Sequence, residues 1–143
     1  MKALTLVEIL IIVALLAILA SFTFPMGLDF YRSQQLETKT QEVIQTLRRA
    51  QLKAISQELD SNYGVYFTQQ NYILFKGNSY LTRDSQYDEI FNFSAIMNIS
   101  GLNEITFSRL EGKPSVTGNI VLSSNGNSAT ININEIGRIN LEI

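Results

Sequence analysis

LTLVEILIIVALLAILASFTF, residues Leu4 to Phe24, runs for 21 residues with one charge, Glu8. From Ile9 to Ala20 the apolar run is unbroken, and no Gly or Pro interrupts it before Pro25. At about 1.5 Å per residue, roughly 20 helical residues cross the ~30 Å hydrocarbon core of a bilayer. The stretch predicts a transmembrane helix that begins almost at the first residue.

A secretory signal peptide is the commonest reason for an apolar N-terminus, and three features count against it. The run is longer than the usual ~7–15-residue apolar region of a signal. No small-x-small cleavage pattern follows, because Ile18 stands two residues before Ala20. Glu8 sits inside the apolar segment, where a disposable signal has no use for a charge. A carboxylate in a membrane helix is costly and marks a functional pairing, although one close to the surface can also reach the headgroups. Cleavage after Ala3 supplies a pairing. It creates an amine at Leu4 and makes Glu8 the fifth residue of the mature chain, where the carboxylate can neutralise its own amine or a neighbour's.

Lys2-Ala3-Leu4-Thr5-Leu6-Val7-Glu8-Ile9 resembles the prepilin leader of type IV pilins and pseudopilins. That family has a short basic leader, a small residue before the cut, then residue-Thr-Leu-aliphatic-Glu and an apolar helix. Pro25 falls where the family places its helix-perturbing proline. The chain departs from the pattern at Ala3, where Gly is the norm, and at Leu4, where Phe is. The resemblance implies cleavage between Ala3 and Leu4 by a prepilin peptidase, N-methylation of Leu4, and subunit assembly through Glu8. It also implies a single-pass inner-membrane protein whose head lies outside the cytoplasm. Lys2 precedes the helix and Arg32 and Lys39 follow it, so positive charge is nearly silent on orientation.

Pro25 removes a backbone donor and disfavours helix at Phe24. With Gly27 close by, residues 21–27 are expected to kink or melt locally. Beyond them Leu36, Thr40, Val43, Leu47, Ala50 and Ala54 recur at spacings of four and three, and Ile44 and Ile55 widen the stripe. Gln41, Glu42, Gln45, Arg48, Arg49 and Lys53 fill the other face. This is an amphipathic helix with one face for a head. Leu52 lies on its polar side, either as an isolated exposed leucine or as a subunit contact.

Asp60-Ser61-Asn62 ends the helix. Tyr63 to Phe67 and Tyr72 to Lys76 flank Thr68-Gln69-Gln70-Asn71 as a hairpin. Later strand-like runs are Glu104 to Leu110, Asn119 to Ser123, Ala129 to Asn134 and Arg138 to Ile143. Turns are expected at Glu111 to Pro114, Asn125-Gly126 and Gly137, and residues 80–100 give no clear pattern. Alternation in Thr130 to Asn134 marks a half-buried strand. The fold class is α+β: a long N-terminal helix, transmembrane in its first half and amphipathic in its second, packed on an antiparallel β head. The divisions are a leader at 1–3, a transmembrane and polymerisation helix at 4–27, and an amphipathic helix plus head at 28–143. Leu47 to Ile55, Tyr63 to Phe67, Thr106-Phe107, Gly118 to Leu122, Ser124-Asn125-Gly126 and Gly137-Arg138-Ile139 are similar to the GspH/FimT-like branch of pseudopilins. That branch implies a minor component of the filament.

The remaining candidates favour no chemistry. The 143-residue chain has no Cys and no His, a net charge of -2 and 45% apolar residues. It can bury a core, but it lacks the commonest general base and zinc ligand. Asp84, Asp88 and Glu89 form the one acidic cluster of the head. Their spacing matches no calcium loop, and a solvated acidic loop is the simpler reading. Asn92-Phe93-Ser94 and Asn98-Ile99-Ser100 match a glycosylation sequon at the frequency expected by chance. The tyrosines Tyr63, Tyr66, Tyr72, Tyr80 and Tyr87 suggest base stacking. However, five Lys/Arg against eight Asp/Glu from Asp60 onward leave no basic track for phosphates. No enzyme activity, cofactor, metal or nucleic acid is expected. The expected partners are other pilin or pseudopilin subunits, prepilin peptidase, the inner-membrane assembly platform with its ATPase, and membrane lipid. A membrane-anchored binding module that never polymerises is the alternative, and an exported enzyme behind a signal cleaved near Ala20 is a third reading.

Overall fold

A computed structural model describes residues 5–142, except for the side chains of residues 22–29. The helix α1 covers Leu6–Ile55. The chain divides into two compact units, Met1–Gln34 and Gln35–Ile143, and α1 supplies helical residues to both.

In the first unit, every described residue from 5 to 21 is exposed. The backbone is helical throughout 21–27, so the local melting expected around Pro25 does not occur, and the side chain of Pro25 lies outside the described residues. Among the described residues, no helix is long and apolar enough to cross a membrane. The described apolar helix, residues 6–21, extends roughly 24 Å against the ~30 Å of a bilayer core.

The second unit is a head of two four-stranded antiparallel sheets with a helical segment of α1 packed on them. The strands are β1 (Tyr63–Phe67), β2 (Asn71–Lys76), β3 (Asp84–Asn92), β4 (Asn98–Gly101), β5 (Glu104–Phe107), β6 (Gly118–Ser124), β7 (Asn127–Ile133) and β8 (Ile139–Glu142). One sheet runs β3-β2-β1-β5 and the other β4-β6-β7-β8. The six positions of the expected helical stripe, Leu36 to Ala54, are all buried, and Ile44 joins them. Thr40 and Thr46 sit on that face without cost, since their hydroxyls donate to the carbonyls of Leu36 and Glu42 one turn back. Ile55 is 43% exposed and lies outside the core.

The stripe meets the inward residues of both sheets in one core: Tyr63, Val65, Phe67, Tyr72, Leu74, Ile105 and Phe107 from the first, and Ile99, Ile120, Leu122, Ile131, Ile133 and Ile139 from the second. Strand alternation places these side chains on one face of each sheet. The first hairpin closes through Thr68, whose N–H donates to Asn71 O and whose hydroxyl accepts from Asn71 N–H. The β6–β7 hairpin turns on Asn125 and Gly126, both with positive φ, the geometry that follows the twist of its strands.

The structure corrects the sequence reading in the head as well: α1 ends at Ile55, short of the break expected at Asp60-Ser61-Asn62. Residues 80–100 hold β3 and β4, both missed. The strand expected over Glu104 to Leu110 stops at Phe107, because Ser108 and Lys113 close a turn in which Leu110 takes φ 72°.

The loops are tied to the helix by Gln51. Its Nε2 donates to the carbonyls of Gly112 and Gly137, each at 2.9 Å. Both glycines have positive φ, and a Cβ on Gly137 would collide with the Gln51 amide and Gly112 O. On the face of the first sheet opposite the helix, Phe75 covers Gly64, and the Tyr80 ring meets Phe75 edge-on.

Candidate assembly site

The sequence places the candidate functional residues at the start of α1. Ala3 and Leu4 lie outside the described residues. Thr5 stands at the helix N-cap: its carbonyl accepts from Ile9 N–H at 3.2 Å and its hydroxyl from Glu8 N–H at 3.3 Å. Thr5-Leu6-Val7-Glu8 therefore has the T-x-x-E spacing of a capping box and makes the half in which the cap hydroxyl takes the N3 amide. The free amides of a first helical turn carry partial positive charge, which favours a carboxylate there by about 0.3–1 kcal/mol. Glu8 thus has a local reason for its position as well as the pairing with an amine argued above. Thr5 is a site residue that the charge argument passes over, although its spacing to Glu8 is readable in the sequence.

After Glu8 the helix offers only aliphatic surface. Leu10, Val13, Leu16 and Leu19 are between 58% and 63% exposed, and Ile9, Ile11, Ile12 and Ile18 are about half exposed. Since the exposed residues lie on every side of the helix, no single face is reserved for water.

The acidic cluster in the head does not converge. Asp84 faces Lys76 Nζ at 4.0 Å. Both oxygens of Asp88 accept from Arg83 Nε, at 3.0 and 2.8 Å. Glu89 pairs with Arg49, and Lys53 lies 3.6 Å from it. Each carboxylate has its own cation, and among the described residues no group of three metal-ligating side chains occurs. The Asp88 bond raises the pKa of Arg83, so this guanidinium keeps its charge across the ordinary pH range.

The tyrosines divide between core and surface. Tyr63 and Tyr72 are fully buried, and their hydroxyls find no hydrogen-bond partner. The Tyr72 hydroxyl lies close to Thr46 and the Glu42 carboxylate without bonding geometry to either. Burial, with Glu42 adding to it, pushes this phenol far above its usual pKa of 10. Burial raises Tyr63 likewise, with help from Glu58. Tyr66 stacks on Tyr80 with centroids 4.0 Å apart, and the Arg83 guanidinium lies 3.7 Å over Tyr80. These rings are spent on each other. A cleft of about 220 Å³ between the β1–β2 turn and β4 is lined by Tyr66, Phe67, Gln69, Ile99, Leu102 and Asn103, among others, and by no carboxylate or cation.

A long N-terminal helix packed against antiparallel β-sheets defines an α+β protein of an arrangement consistent with pilins. Compared with protein-family models, curated proteins and solved structures, the chain matches none.

Proposed function

We propose that the chain is a structural subunit, a minor pilin or pseudopilin of the GspH/FimT-like branch, in a type IV pilus or a type II secretion pseudopilus. In this reading prepilin peptidase cuts after Ala3 and Leu4 is N-methylated. The helix over residues 4–27 resides in the inner membrane, with the head outside the cytoplasm, until the platform and its ATPase draw the subunit into the filament. The head performs no reaction.

One observation carries the reading. The helix over residues 6–21 exposes aliphatic side chains on all sides, while the core of the head, from Leu36 to Ile139, is composed without any of them. An isolated helix of that composition in water would leave several hundred Å² of apolar surface wet, at roughly 25 cal/mol per Å². Lipid and the helices of neighbouring subunits are the two environments that cover it, and the pilin reading uses both in turn.

The Thr5–Glu8 cap favours a second reading, in which the chain is an anchored binding module that never polymerises. There Glu8 serves only its own helix end. Co-expression with a prepilin peptidase and intact-mass analysis tests the first step: the mature chain should begin at Leu4. A chain that begins near Ser21 removes both readings. Crosslinking to partner pilins then separates filament subunit from anchored module.

A further inference from the structure

A β-sheet edge offers unpaired N–H and C=O groups, and proteins usually cover or blunt such edges. The head has four. At β4, the Gln69 side-chain amide bonds both the N–H and the C=O of Ile99. At β5, Ser115 N–H donates to Thr106 O at 2.7 Å, Ser115 Oγ accepts from Thr106 N–H, and Pro114 bridges to Phe107. At β8, Arg48 reaches the Ile139 carbonyl at 3.4 Å. At β3, the longest strand of the head, no strand lies on the free side.

The orientation of that edge follows from one hydrogen bond. Phe93 N–H donates to Gln70 O at 2.8 Å, so it points toward β2. Antiparallel ladders alternate, which turns the N–H and C=O of Ile90 and Asn92 outward. Ile90 is also 62% exposed, beside Ile73 of β2, which is 6% exposed on the same face. The open edge therefore presents backbone groups and an aliphatic side chain at one residue.

We propose that β3 pairs with β3 of a second copy of this chain, antiparallel and centred on Ile90. The register suits self-association. It sets Ile90 opposite Ile90 and Glu89 opposite Phe91, and it sets Asp88 opposite Asn92, so no two carboxylates face each other. Acidic residues on an edge strand normally repel a second copy. Here Asp84, Asp88 and Glu89 are each matched by a cation of their own chain, which leaves the edge close to neutral. The outward N–H of Ile90 donates to the C=O of its twin, and its C=O accepts from the twin's N–H. The contact is isologous: it joins two copies and stops there. It is independent of the helix that the proposed filament uses.

The chain contains no cysteine, so one introduced thiol is unique. A hydrogen-bonded antiparallel pair holds its Cα atoms about 5.5 Å apart, within the usual disulfide range. In full-length protein in detergent micelles, Ile90→Cys should form a disulfide dimer under a mild oxidant. Leu81→Cys, 90% exposed in the 80–82 turn, should stay monomeric. Asn92→Pro added to Ile90→Cys removes an outward N–H without touching the β2 ladder and should abolish the dimer, with circular dichroism unchanged. Glu8→Ala added to Ile90→Cys should leave the dimer intact. Equal crosslinking by Leu81→Cys, no crosslinking by Ile90→Cys, or a dimer lost with Glu8→Ala would each overturn the proposal.

Discussion

The primary amide of Gln69 stands in for a neighbouring strand at Ile99. Its Nε2 donates to the Ile99 carbonyl at 2.8 Å, and its Oε1 accepts from the Ile99 N–H at 3.4 Å. A side chain from the β1–β2 turn thereby closes the edge of the other sheet and ties the two sheets together across 30 residues of sequence. Gln69→Ala should lower stability by about 1–2 kcal/mol, since two part-buried backbone groups lose their partner. Gln69→Glu should do no better, because a carboxylate cannot donate to the carbonyl. Urea denaturation followed by circular dichroism measures both, and a Gln69→Ala midpoint equal to the parent's would mean that water replaces the amide freely.

The two buried tyrosines set a prediction at alkaline pH. Burial raises the folded-state pKa of Tyr63 and Tyr72 above the unfolded value of 10. A group whose folded pKa is raised keeps its full contribution below the unfolded pKa and loses it as pH climbs toward the folded one. The head should therefore be insensitive to these phenols up to about pH 9 and lose stability steeply above about pH 10. Tyr72→Phe should flatten part of that loss. At neutral pH it should cost nothing or add up to about 1 kcal/mol, because it removes a buried hydroxyl that has no partner. Denaturation midpoints at pH 8 and pH 11, compared between Tyr72→Phe and the parent, decide it.

The division of the chain is testable by truncation. Among the described residues Leu36 is the first buried one of α1, and the compact second unit begins at Gln35. Among the described residues, removal of 1–28 takes none from the core. The remaining chain should be soluble, show mixed helix and strand by circular dichroism, and unfold cooperatively. A truncated protein that is unfolded at moderate temperature would show that the head needs the apolar helix.

These results mark where sequence patterns carry information. The stripe from Leu36 to Ala54 was legible because burial follows a 3.6-residue period along one element. The β6–β7 hairpin was legible because its turn carries Asn125 and Gly126 where the backbone needs positive φ, and the β1–β2 hairpin because two strand-like runs flank the polar residues Thr68 to Asn71. Strand β3 was not. Of its apolar residues Tyr87 and Ile90 are exposed and Phe91 is only partly buried, and its register shifts against β2 between Leu74 and Lys76, which blurs the alternation. The Gln69–Ile99 bond had no local signal, because a glutamine in a turn reads as an ordinary polar residue. Asp84, Asp88 and Glu89 formed a cluster only along the chain. Their partners Lys76, Arg83, Arg49 and Lys53 come from three elements that the fold brings alongside.

Glu8 yields the most discriminating experiment, because two explanations of it predict different variants to fail. If it completes a capping box with Thr5, the requirement is a side-chain acceptor that reaches back to the start of the helix, and glutamine meets it as well as glutamate. Glu8→Gln should then behave like the parent, whereas Thr5→Val, which removes the hydroxyl that holds Glu8 N–H, should be impaired. If Glu8 neutralises the amine of Leu4 on a neighbouring subunit, the requirement is negative charge. Glu8→Gln should then be nearly as defective as Glu8→Ala, and Thr5→Val should be close to normal. Loss of one member of a desolvated ion pair costs about 3–5 kcal/mol, against about 0.5–2 for a helix cap. The first cuts association by at least about a hundredfold, and the second leaves much of it. Membrane insertion should be undiminished or eased in both Glu8 variants, since a carboxylate is the costly group in an apolar helix. Crosslinking to partner pilins, scored beside membrane yield for Glu8→Gln, Glu8→Ala and Thr5→Val, reads the difference. We expect Glu8→Gln to insert normally and to lose its crosslinks. A Glu8→Gln chain that crosslinks like the parent would reduce Glu8 to a helix cap and leave the anchored, non-polymerising module as the better account.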